Sequence, residues 1–224
     1  MVADNAELRF LDSLSEGQVA DLTALGRSRR HAVGDRLFNE REPGDAVLVL
    51  LSGRVKLSCV TEGGREAVLG IREPGELIGE MSAIDRAPRS ATATALEPVE
   101  VLALSSEAFV AYLDRTPGVA LVLVQMLNRR LRDADRKRVE FGAADTTGRV
   151  SSRLVELADR FGQPTQYGVR ISVPLTQEEL AGWVGSSREA VSKALRALRA
   201  RGWIETRRKA IVVIDLAALR RRAT

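Results

Sequence analysis

The stretch Thr176-Gln177-Glu178-Glu179-Leu180-Ala181-Gly182-Trp183-Val184-Gly185-Ser186-Ser187-Arg188-Glu189-Ala190-Val191 decides how the C-terminal part of the chain folds. Thr176 and Glu179 have the Thr-x-x-Glu spacing of a capping box, which predicts a helix start. Leu180 and Val184 form the inward face of that helix, and Gly185 ends it. Ser186 to Glu189 gives a second Ser-x-x-Glu box only a few residues on. Two helices joined by so tight a turn cannot lie antiparallel, and the arrangement suits a helix-turn-helix.

The second helix separates by face. Val191, Ala194, Leu195 and Leu198 point inward, while Arg188, Glu189, Ser192, Lys193 and Arg196 share the other side. Arginine forks onto guanine O6 and N7, and glutamate accepts from the cytosine amino group. Ser187 and the helix N-terminus suit phosphate. Beyond Gly202, Trp203-Ile204-Glu205 and Ala210 to Ile214 flank Arg207-Arg208-Lys209, a hairpin with a cationic tip. Thr176, Gln177 and Lys209 complete the candidate duplex-contacting set. A charged helix surface alone would be unremarkable; two boxes and a basic wing together predict a winged helix-turn-helix that binds double-stranded DNA.

Upstream, Val169 to Val173 reads as a strand, preceded by a loop containing Pro164 and a helix from Arg149 to Phe161 that stops at Gly162. Gly142 to Thr146 reads as a hinge, with Asp145 or Thr146 capping that helix. A long helix opens after Pro117, near Val119, and carries Ala120, Val124, Leu127, Leu131, Ala134, Arg138 and Phe141 at alternating spacings of 4 and 3. A heptad-like seam of this kind pairs one helix with a second copy. Packing on the chain's own β region is the alternative, but the charged half from Arg129 to Arg138 is too polar for a core.

Before that helix, Ser105 or Ser106 caps a short helix through Tyr112. Eight glycines between Gly34 and Gly79 separate short runs such as Val47 to Leu51 and Val55 to Val60, and Thr92 to Ala95 and Val99 to Leu104 add two more. Short strands with glycine turns predict a β sandwich or barrel. Residues 5–30 read as short helices with a start at Leu11 to Ser15, followed by Val19, Leu22 and Leu25, and His31 as a surface turn before a strand.

Composition narrows the function. With 224 residues the chain makes one large domain or two small ones. One cysteine, Cys59, and one histidine, His31, leave no disulfide framework, no protein-built metal centre and no histidine-based catalytic set, so an enzyme is not expected. No apolar run approaches the roughly 18 residues of a membrane span. Asp4 and Glu7 stand where a secretion signal would be basic and then apolar, so a cytoplasmic location is expected. Residues 1–141 hold 19 Lys/Arg against 22 Asp/Glu, whereas residues 142–224 hold 15 against 8. A basic last part suits a polyanionic partner, although an arginine-rich composition alone gives such tails as well.

The densest motif of the β region is Gly79-Glu80-Met81-Ser82-Ala83-Ile84-Asp85-Arg86-Ala87-Pro88-Arg89-Ser90-Ala91. Arg89 and Ser90 beside small residues suit a phosphodiester, and Glu80 is an acceptor for a ribose hydroxyl. Residue types alone fit a β-turn with incidental charges equally well. The segment resembles the phosphate-binding cassette of cyclic-nucleotide-binding domains. Together with Asp145-Thr-Thr-Gly-Arg149 and Ser187-Arg-Glu-Ala-Val191, it makes the chain similar to regulators of the cAMP receptor protein/FNR family from about residue 8 to residue 214.

The resemblance implies an α+β chain with a β-roll nucleotide domain (1–117), a dimerisation helix and hinge (118–144) and a winged helix-turn-helix (145–224). It implies a homodimer that works with RNA polymerase, with Arg188, Glu189 and Lys193 reading a palindrome of TGTGA-like half-sites. Gly79, Glu80, Met81, Ser82, Arg89, Ser90 and Arg130 would surround the sugar-phosphate, with Ala134 and Asp135 at the base. Those last two depart from the family's Thr followed by Ser or Asn. Ala134 cannot hydrogen-bond through its side chain, and ionised Asp135 only accepts, which suits guanine N1–H and N2 better than the adenine amino group. cAMP ranks first as effector, cGMP or another cyclic nucleotide second, and ligand-independent regulation third. The cysteine cluster and haem ligands of other branches have no counterpart. A nucleotide-sensing module acting through a partner protein is the alternative function.

Overall fold

A computed structural model describes residues 9–207 and 210–223, which fall into two compact units: residues up to 59 with 69–133, and residues 60–68 with 134 onward. The first begins with helix α1 (Glu16–Leu25), opened by a capping box in which Ser15 Oγ accepts from Gln18 N and Gln18 Oε1 accepts from Ser15 N. Eight strands follow: β1 (Arg27–His31), β2 (Arg36–Phe38), β3 (Ala46–Ser52), β4 (Val55–Val60), β5 (Glu66–Arg72), β6 (Leu77–Ile78), β7 (Thr92–Ala95) and β8 (Val99–Ser105). They form two antiparallel-paired sheets, ordered β1-β8-β3-β6 and β2-β7-β4-β5.

Alternation along β3 and β8 divides two cores. Leu48, Leu50, Val99 and Val101 meet Val55, Ala93 and Ala95 between the sheets. Val47, Val49, Leu102 and Leu104 turn the other way. There they meet Phe109 and Tyr112 of α3 (Ser106–Arg115) and Val119, Leu123 and Met126 of α4 (Pro117–Ala143). Gly53 turns β3 into β4 at φ +77, and a Cβ there would come within 2.3 Å of the Pro98 carbonyl oxygen. Only glycine fits.

His31 is not in a turn: it closes β1, with Arg27 to His31 paired residue by residue with Ala103 to Val99. A run of cations shows no apolar alternation, yet charged residues are what an exposed edge strand tolerates. The stripe of α4 that packs on the β core is Val119, Leu123 and Met126. The neighbouring seam stays outside, with Val124 51% and Leu131 60% exposed, and only Leu127 leans on the core.

In the second unit, α5 (Thr146–Phe161) is capped by Asp145, whose Oδ1 accepts from Gly148 N at 2.8 Å. Strands β9 (Gly162–Thr165), β10 (Gly168–Ile171), β11 (Ile204–Arg207) and β12 (Ala210–Val213) make a sheet ordered β11-β12-β10-β9. The expected loop around Pro164 is thus a strand, and it escapes notice because proline breaks the pattern. Proline is tolerated there because β9 is an edge. The strand after it ends at Ile171, two residues earlier than the sequence suggests. Helices α6 (Gln177–Val184), α7 (Arg188–Ala200) and α8 (Leu216–Ala223) complete the unit, and α8 packs on α5 with Ala218 and Leu219 buried.

Arg222 of α8 donates to both Asp145 oxygens, at 2.5 and 2.6 Å. The Gly148 amide first, and then Arg222, hold the Asp145 carboxyl below the usual carboxylate range. Asp145→Ala is expected to cost about 1 kcal/mol of stability at pH 7 through the lost cap. Because the folded-state pKa is depressed, that contribution is complete above about pH 3.9 and lost as pH falls through the folded value. Urea unfolding of parent and variant, repeated down the acid limb, should show the gap closing.

Candidate functional site

The turn from β6 into α2 (Glu80–Asp85) places the first candidate group. Gly79 sits at φ +81, where a Cβ would lie 2.3 Å from Arg89 Nη1, so the absent side chain makes room for the guanidinium. Arg89 is 4% exposed. Its Nη1 donates to Gly79 O at 2.9 Å and its Nη2 to Ala46 O at 2.6 Å, and the guanidinium lies 4.3 Å from the Phe38 ring centroid. Asp45, the nearest acid, is 3.8 Å away and open to solvent. Burial pulls the Arg89 guanidinium below the usual arginine range, opposed by Asp45, Glu80 and Glu42. Its Nε is buried with no hydrogen-bond partner. A buried cation with a spare donor is a receptor for an anion.

Glu80 is buried and accepts from Arg130 Nη1 at 2.7 Å, and Arg130 Nη2 donates to Leu77 O at 2.8 Å. Gly79, Glu80, Ser82, Arg89 and Arg130 therefore gather around one turn, with Ser82 buried and Met81 and Ser90 exposed. Ala134 and Asp135 are exposed on the later half of α4. A cavity of about 530 Å³ adjoins Arg89, walled by Leu37, Phe38, Pro43, Ala46 and Leu48, with Arg29 and His31 along it. The cassette motif gives no sign of Phe38, Arg29 or His31. Their only signal is the alternation of β1 and β2, which the charged composition hides.

The second candidate group is built by caps. Thr176 Oγ1 accepts from Glu179 N, and Glu179 Oε2 accepts from Thr176 N at 2.8 Å, so α6 starts with its box closed. Gly185, at φ +59, turns the chain. The second box does not form. Ser187, not Ser186, caps α7 by accepting from Ala190 N at 3.2 Å, and Ser186 Oγ lies 3.1 Å from Thr146 Oγ1. With Ser187 as cap, the third helical residue is Ala190, which cannot reach back. The helix N-terminus and Ser187 hold the Glu189 carboxyl below its usual range. Val191, Ala194, Leu195 and Leu198 are buried, Arg188, Glu189, Lys193 and Arg196 exposed, and Ser192 partly so. Thr176 and Gln177 are exposed too, and Lys209 lies outside the described residues.

A β-roll built around a buried guanidinium, followed by a helix-turn-helix, defines a two-part DNA-binding protein. Residues 28–116 match the cyclic nucleotide-binding domain, and residues 148–222 match the Crp-like helix-turn-helix domain. The chain is 37% identical over 190 residues to the CRP-like cAMP-activated global transcriptional regulator of Mycobacterium tuberculosis, covering 85% of each. It is 38% identical over 174 residues to the cyclic AMP receptor protein of Thermus thermophilus, covering 78% of this chain and 77% of that one. Its fold matches the c-di-GMP responsive global regulator CLP of Xanthomonas campestris with a TM-score of 0.80 at 26% identity, over 89% of this chain and 99% of that one. The chain belongs to the CRP/FNR family of transcription regulators, and it is a DNA-binding regulator rather than an enzyme. Among the described residues no single helix is long and apolar enough to cross a membrane.

Removing Arg130 leaves the buried Glu80 carboxyl without its partner. Arg130→Ala is expected to cost about 3 kcal/mol, and adding Glu80→Gln should recover part of it. Equal urea-unfolding losses in the single and double variants would show that the pair does not hold α4 to α2.

Proposed function

We propose that the protein is a cytoplasmic homodimer whose affinity for a palindromic operator is set by a cyclic nucleotide, with cAMP as the first candidate. The observation that carries this is Arg89: a buried guanidinium with an unpartnered Nε beside a cavity, on a turn that glycine keeps open. A cyclic phosphodiester matches that charge and takes the spare donor. In this reading Gly79, Met81, Ser82 and Ser90 frame the anion, and Glu80 takes the ribose hydroxyl once Arg130 shifts. The cAMP-activated relative at 37% identity supports the same ligand class. Asp135 favours a second reading, cGMP, since a carboxylate accepts from the guanine N1–H and N2 donors and Ala134 offers the base nothing.

Two copies meet along the exposed seam of α4, where Val124 and Leu131 are unpaired by the chain's own core. Two recognition helices then enter successive major grooves, with half-site centres about 34–36 Å apart. Arg188, Glu189, Ser192 and Lys193 face the bases of a TGTGA-like half-site. Thr176, Gln177, Ser187 and Lys209 hold phosphates, and RNA polymerase is met at the bound promoter. Ligand and operator must strengthen each other's binding by one common factor.

Operator binding by the full chain, measured at fixed salt with and without cAMP or cGMP, tests the switch. One nucleotide should tighten a complex of two chains per palindrome, and Arg89→Ala should abolish the response. Equal affinity with and without either nucleotide would overturn it. Arg188→Ala should cost roughly 1–3 kcal/mol on the operator and relax selection at one guanine. If the variant selects sites as the parent does in a randomised-duplex selection, Arg188 does not read a base.

A further inference from the structure

The second unit keeps a cavity of about 150 Å³ on the inward side of α7. Leu154 and Leu157 of α5, Ile171 of β10, Leu180 of α6, Leu195 of α7 and Ala210 of β12 wall it, and all six are buried. Protein interiors pack at crystal density and leave few voids larger than a water molecule. Hydrocarbon walls also give a water too few partners to hold it. The lining that reaches solvent comes from Thr176 and Gln177 at the start of α6 and from Thr206 and Arg207 of β11.

The polar groups at that opening are already engaged. Thr176 Oγ1 accepts from Glu179 N at 3.1 Å and donates to Glu179 Oε2 at 2.9 Å. Thr206 Oγ1 accepts from Arg199 Nη1 at 3.0 Å. Arg207, the one charged residue of the lining, pairs with Glu205 at 3.0 Å. An ion entering the cavity would lose its hydration with nothing to replace it. A neutral apolar body loses nothing, and an apolar cavity of about this volume takes up benzene.

Position sets the cavity apart from a packing fault. It touches α5, α6, α7 and both strands of the wing hairpin, so the elements given to the duplex share it. We propose that it is a second ligand site, for a neutral apolar molecule of about benzene size, and that its occupation tightens duplex binding. An occupant joins Leu195 on the inward face of α7 to Leu180 of α6 and Ala210 of the wing. Less ordering is then left for the DNA to impose. The site lies wholly within the second unit and is independent of the nucleotide reading at Arg89.

Benzene titrated into the full chain, followed by leucine and isoleucine methyl NMR, tests the site. The Leu154, Ile171, Leu180 and Leu195 methyls should shift and saturate with a Kd of about 1 mM or tighter. The methyls of Leu219, buried in the same unit outside the cavity, should stay still. Ala210→Val adds two methyl groups at the wall and should weaken benzene binding roughly tenfold or more. The parent's own methyl shifts locate the probe whether or not that variant folds. Affinity for a duplex recovered by randomised selection should rise roughly threefold or more at saturating benzene. Cavity methyls that stay unmoved up to the solubility limit of benzene, or shifts confined to the first unit, would overturn the site. Saturated methyls with unchanged duplex affinity would overturn its control of DNA binding.

Discussion

Burying the Arg89 guanidinium constrains everything around it. A cation taken from water carries a large penalty that must be offset by hydrogen bonds and charge. Two backbone carbonyls, of Gly79 and Ala46, supply the bonds, and the Phe38 ring supplies a face. Each demand fixes backbone: Gly79 must be left-handed and without a side chain, β3 must begin at Ala46, and β2 must bring Phe38 beneath the guanidinium. What the arrangement leaves over is one donor, Nε, and a net positive charge that Asp45 meets only from solvent. The roll is therefore stable enough to hold the cation and incomplete enough to want an anion.

Glu80 shares that turn, and its commitment to Arg130 gives the site a physical link to α4. The pair is buried on the glutamate side, and Arg130 is pinned a second time by the Leu77 carbonyl. Any ligand hydroxyl that claims Glu80 competes with Arg130, so binding and the anchoring of α4 draw on the same carboxylate. Coupling between sites needs a ligand that discriminates between two arrangements, and a contested carboxylate provides one. Arg130 and the exposed Val124 and Leu131 lie on the same helix, so the carboxylate that holds Arg130 also bears on the helix that carries that seam.

Local signals carried most of the architecture. Caps at Thr176 and at Asp145 or Thr146, the glycine turns and the inward face of α7 are readable because each depends on residues a few positions apart. The failures share a cause. β1 and β9 owe their existence to partners distant in sequence, and their edge positions permit the cations and proline that disguise them. The second capping box failed by one residue, because Ser186 is drawn to Thr146 and a periodic pattern cannot weigh a tertiary partner against a local one. Around Arg89, the Gly79 to Ala91 motif displays its own members, whereas Phe38, Arg29 and His31 come to line the adjoining cavity only through sheet register.

The segment Asp145 to Arg149 is bound to its surroundings at both ends. Asp145 caps α5 and is gripped by Arg222, so the start of α5 is tied to α8 and cannot fray. Arg149, one turn on, donates through Nη1 to the Ala144 carbonyl at 2.9 Å and through Nε to the Val184 carbonyl at 2.9 Å. One guanidinium thus joins the residue between α4 and α5 to the last turn of α6, where helix carbonyls lack partners and favour a cation. Ser186 and Thr146 add a second tie between the same elements. Helix α4 runs to Ala143, and the Ala144 amide donates to the Glu140 carbonyl at 2.9 Å, so Gly142 and Ala143 of the expected hinge are helical and only Ala144 and Asp145 stand between α4 and α5. The short connection between α4 and α5 is therefore held by side chains on both of its flanks.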